Sequence, residues 1–235
     1  MPRGAYDTTL GETGGAAARI SGMELSGRVV LVTGASRGIG RATAEALAAR
    51  GATVAAAATA AGALTDIGAA STHAFDLADP ANALALADEV EGRHGRVDVL
   101  VNNAGVRVDR LVTHVELEEL DRSFQVNVLS PYVLAGRLVA GMAERGSGVV
   151  ANLVAPVVSP GRRGMGAYAA SKAALESFTN TLRQEVGGKG VAVFGFDPGW
   201  VRTDLAPDGQ EEPGPVAERL VAHIEAAKGS RTALS

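Results

Sequence analysis

Apolar positions in this chain fall into short runs separated by longer amphipathic stretches. Arg28-Val29-Val30-Leu31-Val32 has strand length and is rich in β-branched residues. Arg41 to Arg50 then carries helical periodicity and is ended by Gly51. The alternation repeats. Ala52–Ala58 reads as a second strand despite its alanines, and Thr72–Phe75 as a short third. Asp79-Pro80 opens a helix to about Arg93, with proline at a permitted first-turn position. Val97–Val101 is a fourth strand, followed by a long helical stretch from about Leu117 to Glu144, interrupted or bent near Ser130-Pro131. Gly148–Val154 and Val191–Phe196 flank a second long helix over Gly166–Val186, and a last helix spans about Pro215–Lys228.

Strands alternating with helices predict an α/β fold of one domain, a doubly wound parallel sheet with right-handed crossovers. The expected strand order is 3-2-1-4-5-6, with ligands held beyond the carboxyl ends of the strands. No seventh strand is signalled after Lys228. Residues 1–24 are glycine-rich with few large apolar residues and read as a flexible arm preceding the domain at 25–235.

The junction between the first strand and first helix carries the clearest chemistry. Thr33-Gly34-Ala35-Ser36-Arg37-Gly38-Ile39-Gly40 is a glycine-rich turn feeding a helix N-terminus. Glycines allow a tight turn and close backbone approach, and the unpaired N–H groups and positive dipole end suit a pyrophosphate. In that strand-turn-helix setting the spacing is a variant of the dinucleotide fingerprint.

Bulk properties narrow the partners. The 235 residues are 46% hydrophobic and 20% charged, with net charge −4. Such a balance is ordinary for a globular protein and argues against nucleic acid or an anionic membrane as partner. Cysteine is absent, which excludes disulfides, thiol catalysis and cysteine-ligated metal, and fits a cytoplasmic location. No apolar stretch is expected to reach membrane-spanning length. His73, His94, His114 and His223 read as scattered surface residues, and no metal site is expected.

The chain resembles the short-chain dehydrogenase/reductase family. Thr33-Gly34-x-x-x-Gly38-Ile39-Gly40, Asp76, Asn102-Asn103-Ala104-Gly105, Asn127, Tyr168-x-x-x-Lys172 and Pro198-Gly199 stand in that family's order and spacing over about residues 25–205. Local wording is similar to the β-ketoacyl-carrier-protein reductases, while Pro198 to Asp204 followed by one helix looks more like the smaller carbonyl reductases. The resemblance implies a Rossmann fold and a nicotinamide cofactor. It places Gly34, Ser36, Gly38, Ile39 and Gly40 at the phosphates, and Asp76 with the Leu77 backbone at the adenine. Asn103, Ala104 and Gly105 would back the adenosine side, and Pro198, Gly199, Val201 and Thr203 the nicotinamide end.

Tyr168 and Lys172, four apart, share a helix face. A nearby ammonium favours phenolate and is expected to lower the phenol's pKa, so that Tyr168 acts as general acid in reduction. By resemblance Lys172 also reaches the nicotinamide ribose, and Asn127 holds a water that links Lys172 to solvent. Cofactor choice has its own argument. An NAD site places an acid about 20 residues past the glycines. Here that place reads Ala58-Thr59-Ala60, with no acid before Asp66. Arg37 can fork onto a 2′-phosphate instead, with Thr59 helping, so NADP(H) is the expected cofactor.

One position breaks the family pattern. The family's serine stands thirteen residues before the tyrosine, and that position is Ala155. The serine's hydroxyl stabilises charge on the substrate oxygen, and loss of such a donor costs about 2.7–4 kcal/mol. Three readings are open: Ser159 substitutes as a catalytic residue; the substrate is an iminium or hemiaminal-derived C=N⁺ that needs no oxyanion donor; or the scaffold is a redox-silent NADP-binding regulator or non-redox enzyme. Trp200 lines the substrate mouth or takes a core or interface role. Gly161-Arg162-Arg163-Gly164 reads most simply as a loop with two exposed arginines, the alternative being a contact for an anionic or polar substrate near the active site. The expected activity is NADPH-dependent hydride transfer to a C=O or C=N carbon of a small molecule, secondary metabolites included. The long helices are expected to pair with copies of themselves as a homodimer or homotetramer.

Overall fold

The computed structural model describes residues 23–155 and 161–229. Its centre is a six-stranded, all-parallel sheet of β1 (Val29–Thr33), β2 (Thr53–Ala58), β3 (Ser71–Ala74), β4 (Val99–Asn102), β5 (Gly148–Leu153) and β6 (Val191–Phe196). The strand order is β3-β2-β1-β4-β5-β6, as the alternation predicts. In register, Val30, Leu31 and Val32 of β1 sit beside Val54, Ala55 and Ala56 on one side and Val99, Leu100 and Val101 on the other.

Helices cover both faces, which is why the strands read as unbroken apolar runs. α1 (Gly38–Ala49) and α6 (Pro213–Ala226) cover one face; α2 (Pro80–His94), α4 (Ser130–Arg145) and α5 (Gly166–Val186) cover the other. Successive side chains of β1 divide between two cores, as the period of 2 requires. Val30 and Val32 pack with Leu47, Leu220 and Ile224; Val29 and Leu31 pack with Leu86, Leu138 and Met142. β2 is mostly alanine and is nonetheless a buried central strand. Its neighbours on both sides impose the conformation that alanine alone does not favour.

Several boundaries move. α1 begins at Gly38 rather than Arg41, because the glycines that open it carry no apolar signal. The third strand starts one residue earlier and the last helix two, at Ser71 and Pro213. The long helix is not broken at Ser130-Pro131. α3 (Leu117–Phe124) runs into a π-helical turn over Gln125–Leu129, and Pro131 lies in the first turn of α4, where its missing N–H costs little. Leu117–Arg145 is thus 29 continuous helical residues, apolar and long enough to cross a membrane by composition, correcting the expectation of none. Half of its most apolar window is buried in the fold, so packing against the sheet and neighbouring helices accounts for that apolarity.

His73 is corrected too. It is buried on β3, with Nε2 2.7 Å from Ser71 Oγ and Nδ1 2.6 Å from Glu89 Oε1. Among the described residues no group of three or more His, Asp or Glu is arranged to hold a metal. The arm expected over residues 1–24 lies outside the described residues except for Met23 and Glu24, and Met23 N–H donates to Glu225 O.

Candidate active site

The chain leaves β1 toward β2 on one side of the sheet and returns through α2 to β4 on the other. The carboxyl ends of β1 and β4 therefore part, and a ligand crevice opens between them. Thr33 and Asn103 fasten its two lips together. Thr33 Oγ1 accepts from the N–H groups of Asn103 and Ala104, both at 3.1 Å, and Asn103 Nδ2 donates to Thr33 O at 2.9 Å and Gly34 O at 3.1 Å. In this structure the Asn103 side chain holds the glycine loop, a role its motif position did not disclose.

The glycines are required by this closeness. Gly34 has φ +66°, and a Cβ there would meet Ala104 Cα at 2.8 Å. A Cβ on Gly40 would run into Gly34 O and Asn103 Nδ2. The α1 N-terminus consequently lies against the loop, with Gly38, Ile39 and Gly40 on the cleft wall. Every residue expected to touch a cofactor lines this one cleft of about 340 Å³, from Ser36, Arg37, Thr59 and Asp76 to Tyr168, Lys172, Pro198, Gly199, Val201 and Thr203. At one end Arg37 is 72% exposed and pairs with Asp204 at 3.0 Å. Asp76 Oδ1 accepts from Ala78 N–H at 3.0 Å, while Asp79 alone caps α2. Arg122, not foreseen, lies 3.8 Å from Asp76 and also lines the cleft.

At the other end Tyr168 is packed in an apolar cluster with Met165, Ala155 and Trp200. Ala155 lines the cleft as well and presents only a methyl group there. Ser159 lies outside the described residues. Burial pushes the Tyr168 phenol up to about 12, against a downward pull from Arg107, and Asp197 adds to the rise. That corrects the expected lowering. Lys172, whose Nζ is 5.9 Å from the Tyr168 ring centre, is itself drawn down to about 8 by burial, and Nζ donates to Leu153 O at 2.7 Å.

Asn127 lies behind the cleft in the π-helical turn rather than mid-α-helix. Such turns often reposition one functional side chain. Its Oδ1 accepts from Val106 N–H at 2.8 Å, and its Nδ2 donates to Val106 O and Ser171 Oγ, both at 2.9 Å. Ser171 Oγ donates onward to Tyr168 O at 2.8 Å. Asn127 thus ties the segment after β4 to the helix bearing Tyr168 and Lys172. A second polar chain runs from Asn102 to Asn152 to Thr179, 2.8 Å per step, and joins β4 and β5 to α5.

A glycine-lined crevice at the sheet's switch point, ending at a buried Tyr–Lys pair, defines a nicotinamide-dinucleotide oxidoreductase of the doubly wound class. Comparison with known proteins gives the family. Residues 28–213 match the family model described as short chain dehydrogenase, and the chain belongs to that family. It is 37% identical over 191 residues to the 3-oxoacyl-[acyl-carrier-protein] reductase FabG of Escherichia coli, covering 78% of this chain and 77% of that one. It is also 37% identical over 199 residues to the 3-oxoacyl-[acyl-carrier-protein] reductase of Synechocystis, with 80% of each covered. Among solved structures, a metagenomic short-chain oxidoreductase in complex with NADP superposes with TM-score 0.81 at 32% identity, covering 89% of this chain and 96% of that one. A blue fluorescent protein from a metagenomic library, in complex with NADPH, gives 0.79 at 30%, covering 87% and 92%.

Proposed function

We propose that the protein is an NADPH-dependent reductase that reduces the carbon of a C=O or C=N group in a small-molecule substrate, secondary metabolites included. The observation that carries this reading is the run of one cleft from the α1 N-terminus to the buried Tyr168. The residues present fit the cofactor: Gly34, Gly38 and Gly40 line the cleft without side chains, the close fit of Gly34 and Gly40 against Ala104 and Asn103 holds the loop in place, and the first turn of α1 faces the cleft. Arg37 at the open end and Thr59 where an NAD site would carry an acid favour the phosphorylated form. Similar proteins bound to NADP and NADPH support the same choice. When bound, the cofactor supplies hydride from the nicotinamide.

The remaining steps fall to side chains of this chain. A phenol whose pKa lies near 12 is fully protonated at neutral pH, which suits donation to a substrate oxygen and so the reductive direction. Lys172, joined to Leu153 O, sits behind it and can replace the lost proton. The Ala155 methyl offers no hydrogen bond to a developing oxyanion, which favours a substrate whose reduction builds little charge on oxygen, such as a C=N⁺ group.

We further propose a cytoplasmic homodimer or homotetramer. Its contact would be the α4–α5 face, where Leu129 is 43% and Tyr132 56% exposed and Tyr132 stacks 4.4 Å from Phe178.

NADPH oxidation followed at 340 nm over a panel of ketones, aldehydes and cyclic imines tests the reading. Turnover that Tyr168→Phe abolishes is the expected result for C=O substrates. An enzyme that consumes no NADPH with any member contradicts it.

A further inference from the structure

Beside Tyr168 the cleft opens into a second, shallower cavity. Arg107, Met165 and Trp200 line both, so the two are continuous. The outer cavity is lined further by Asp109, Arg162 and Arg163. Two guanidinium groups lie over the Trp200 ring, Arg162 at 4.8 Å and Arg107 at 5.7 Å from its centre. Stacking on an aromatic face orients a guanidinium while leaving its in-plane N–H groups free for an anion.

The hydrogen bonding of these arginines sets them apart from structural ones in the same fold. Arg183 Nε donates to Val193 O at 2.7 Å, and Arg145 Nη2 donates to Val97 O at 2.8 Å, each closing off a main-chain carbonyl. Arg107 donates through Nε and Nη2 to one oxygen of Asp109, an exposed carboxylate, and its side chain is only 18% exposed. Its Nη1 has no protein acceptor among the described residues. Arg162 and Arg163 form no ion pair among the described residues. Three guanidinium groups and one carboxylate therefore surround the cavity, on a chain whose net charge is −4. The surplus of positive charge is local to the mouth of the site, where it can gather an anion.

We infer that Arg107 and Arg162, held on Trp200, form a carboxylate-binding subsite, so that the substrate is an anionic carbonyl or imine compound with its carboxylate a few bonds from the reacting carbon. This rests on the reductase reading for the neighbouring Tyr168 and names the substrate class of that same site. Asn127 serves it at one remove. By clamping both backbone groups of Val106 it fixes the segment from which Arg107 projects. The guanidinium that would take the carboxylate is also the one that draws the Tyr168 phenol downward. A bound carboxylate would offset that pull and keep the phenol protonated.

Trp200 is the only tryptophan, so intrinsic fluorescence reports on this cavity directly. The protein saturated with NADP⁺ is titrated with 4-phenylbutanoate and with the neutral 4-phenylbutanamide. Saturable change with the carboxylate, at least about ten-fold tighter than with the amide, is the expected result, a ratio that one charged hydrogen bond supplies. Arg107→Gln and Arg162→Gln each lower carboxylate affinity by about ten-fold, and Arg107→Lys retains part of it. Equal binding of acid and amide, or carboxylate binding that both glutamine variants leave intact, overturns the subsite. A second arm compares 2-oxo-4-phenylbutanoate with its ethyl ester as substrates for NADPH. Preference for the acid that falls about ten-fold in Arg107→Gln supports the inference. Ester and acid consumed alike overturn it while leaving the reductase reading intact. If neither consumes NADPH, that reading loses support while the fluorescence arm still decides the subsite.

Discussion

At the scale of single residues, the site is governed by burial more than by pairing. The expected effect of Lys172 on Tyr168 was a lowered phenol pKa, since an ammonium four residues away favours phenolate. In the folded chain both groups are nearly enclosed, and each shifts toward its neutral form, the phenol to about 12 and the amine to about 8. The consequence for stability has a definite sign. An unfolded lysine keeps its proton to its ordinary range near 10.5, whereas Lys172 in the folded protein loses it near 8. Between those values the unfolded chain holds the extra proton, so stability rises with pH through about 8 to 10.5 and the cost of the buried ammonium is borne in full below. Tyr168 acts oppositely from about 10 to 12, where the folded protein alone keeps the phenolic proton and stability falls. The chain has only three lysines, which keeps the first window uncluttered. Urea unfolding of Lys172→Met should show a stability difference from wild type that shifts by about 3 kcal/mol against the variant between pH 7 and 10.5. A pH-independent difference would mean that the buried amine is not what titrates. Ala155→Ser introduces a donor beside Tyr168. It should raise kcat/KM for neutral ketones about 100-fold and leave C=N⁺ substrates within about two-fold, as steady-state kinetics would read. Tyr168 and Lys172 could be named from spacing because four residues on a helix fix their relation. Arg107 could not, since its meaning depends on Trp200, which only the closed fold brings alongside.

Elements were legible where apolar periodicity sets them and obscure where close approach does. The six strands and the helices between them follow from alternation and length. The opening of α1 does not, because Gly38 and Gly40 are chosen for what they omit. Gly40→Ala places a methyl group against Gly34 O and Asn103 Nδ2. It should lower stability by about 1–3 kcal/mol in thermal unfolding and abolish NADPH binding in a fluorescence titration. A variant that binds NADPH like wild type would show that the loop does not cradle the phosphates. The π-helical turn at Gln125–Leu129 was likewise invisible to pattern reading, which put the irregularity at Ser130-Pro131. Proline in a first turn disturbs nothing, whereas the extra residue of the π turn brings Asn127 onto Val106. Its side chain bonds the main chain of Val106 and Ser171 Oγ.

At the scale of the whole molecule, strand order and switch point place the expected cofactor-binding residues on one crevice, with Asn127 behind it, although they are scattered from Gly34 to Thr203. That is why local motifs, each weak alone, locate the site together. Their order along the chain is the order in which strands deliver loops to one sheet edge. The proposed homodimer or homotetramer would form through the α4–α5 face. On that proposal wild type sediments as an oligomer and Tyr132→Asp as smaller species in sedimentation-velocity runs, and an unchanged distribution would contradict this face as the contact. The central claim is a phosphorylated nicotinamide dinucleotide lying along the crevice with its phosphate at Arg37. Isothermal titration of the purified protein with NADP⁺ and with NAD⁺ tests it most directly. NADP⁺ is predicted to bind at least about ten-fold more tightly, with Arg37→Ala removing most of the difference. Equal affinities, or no heat with either dinucleotide, would contradict the account.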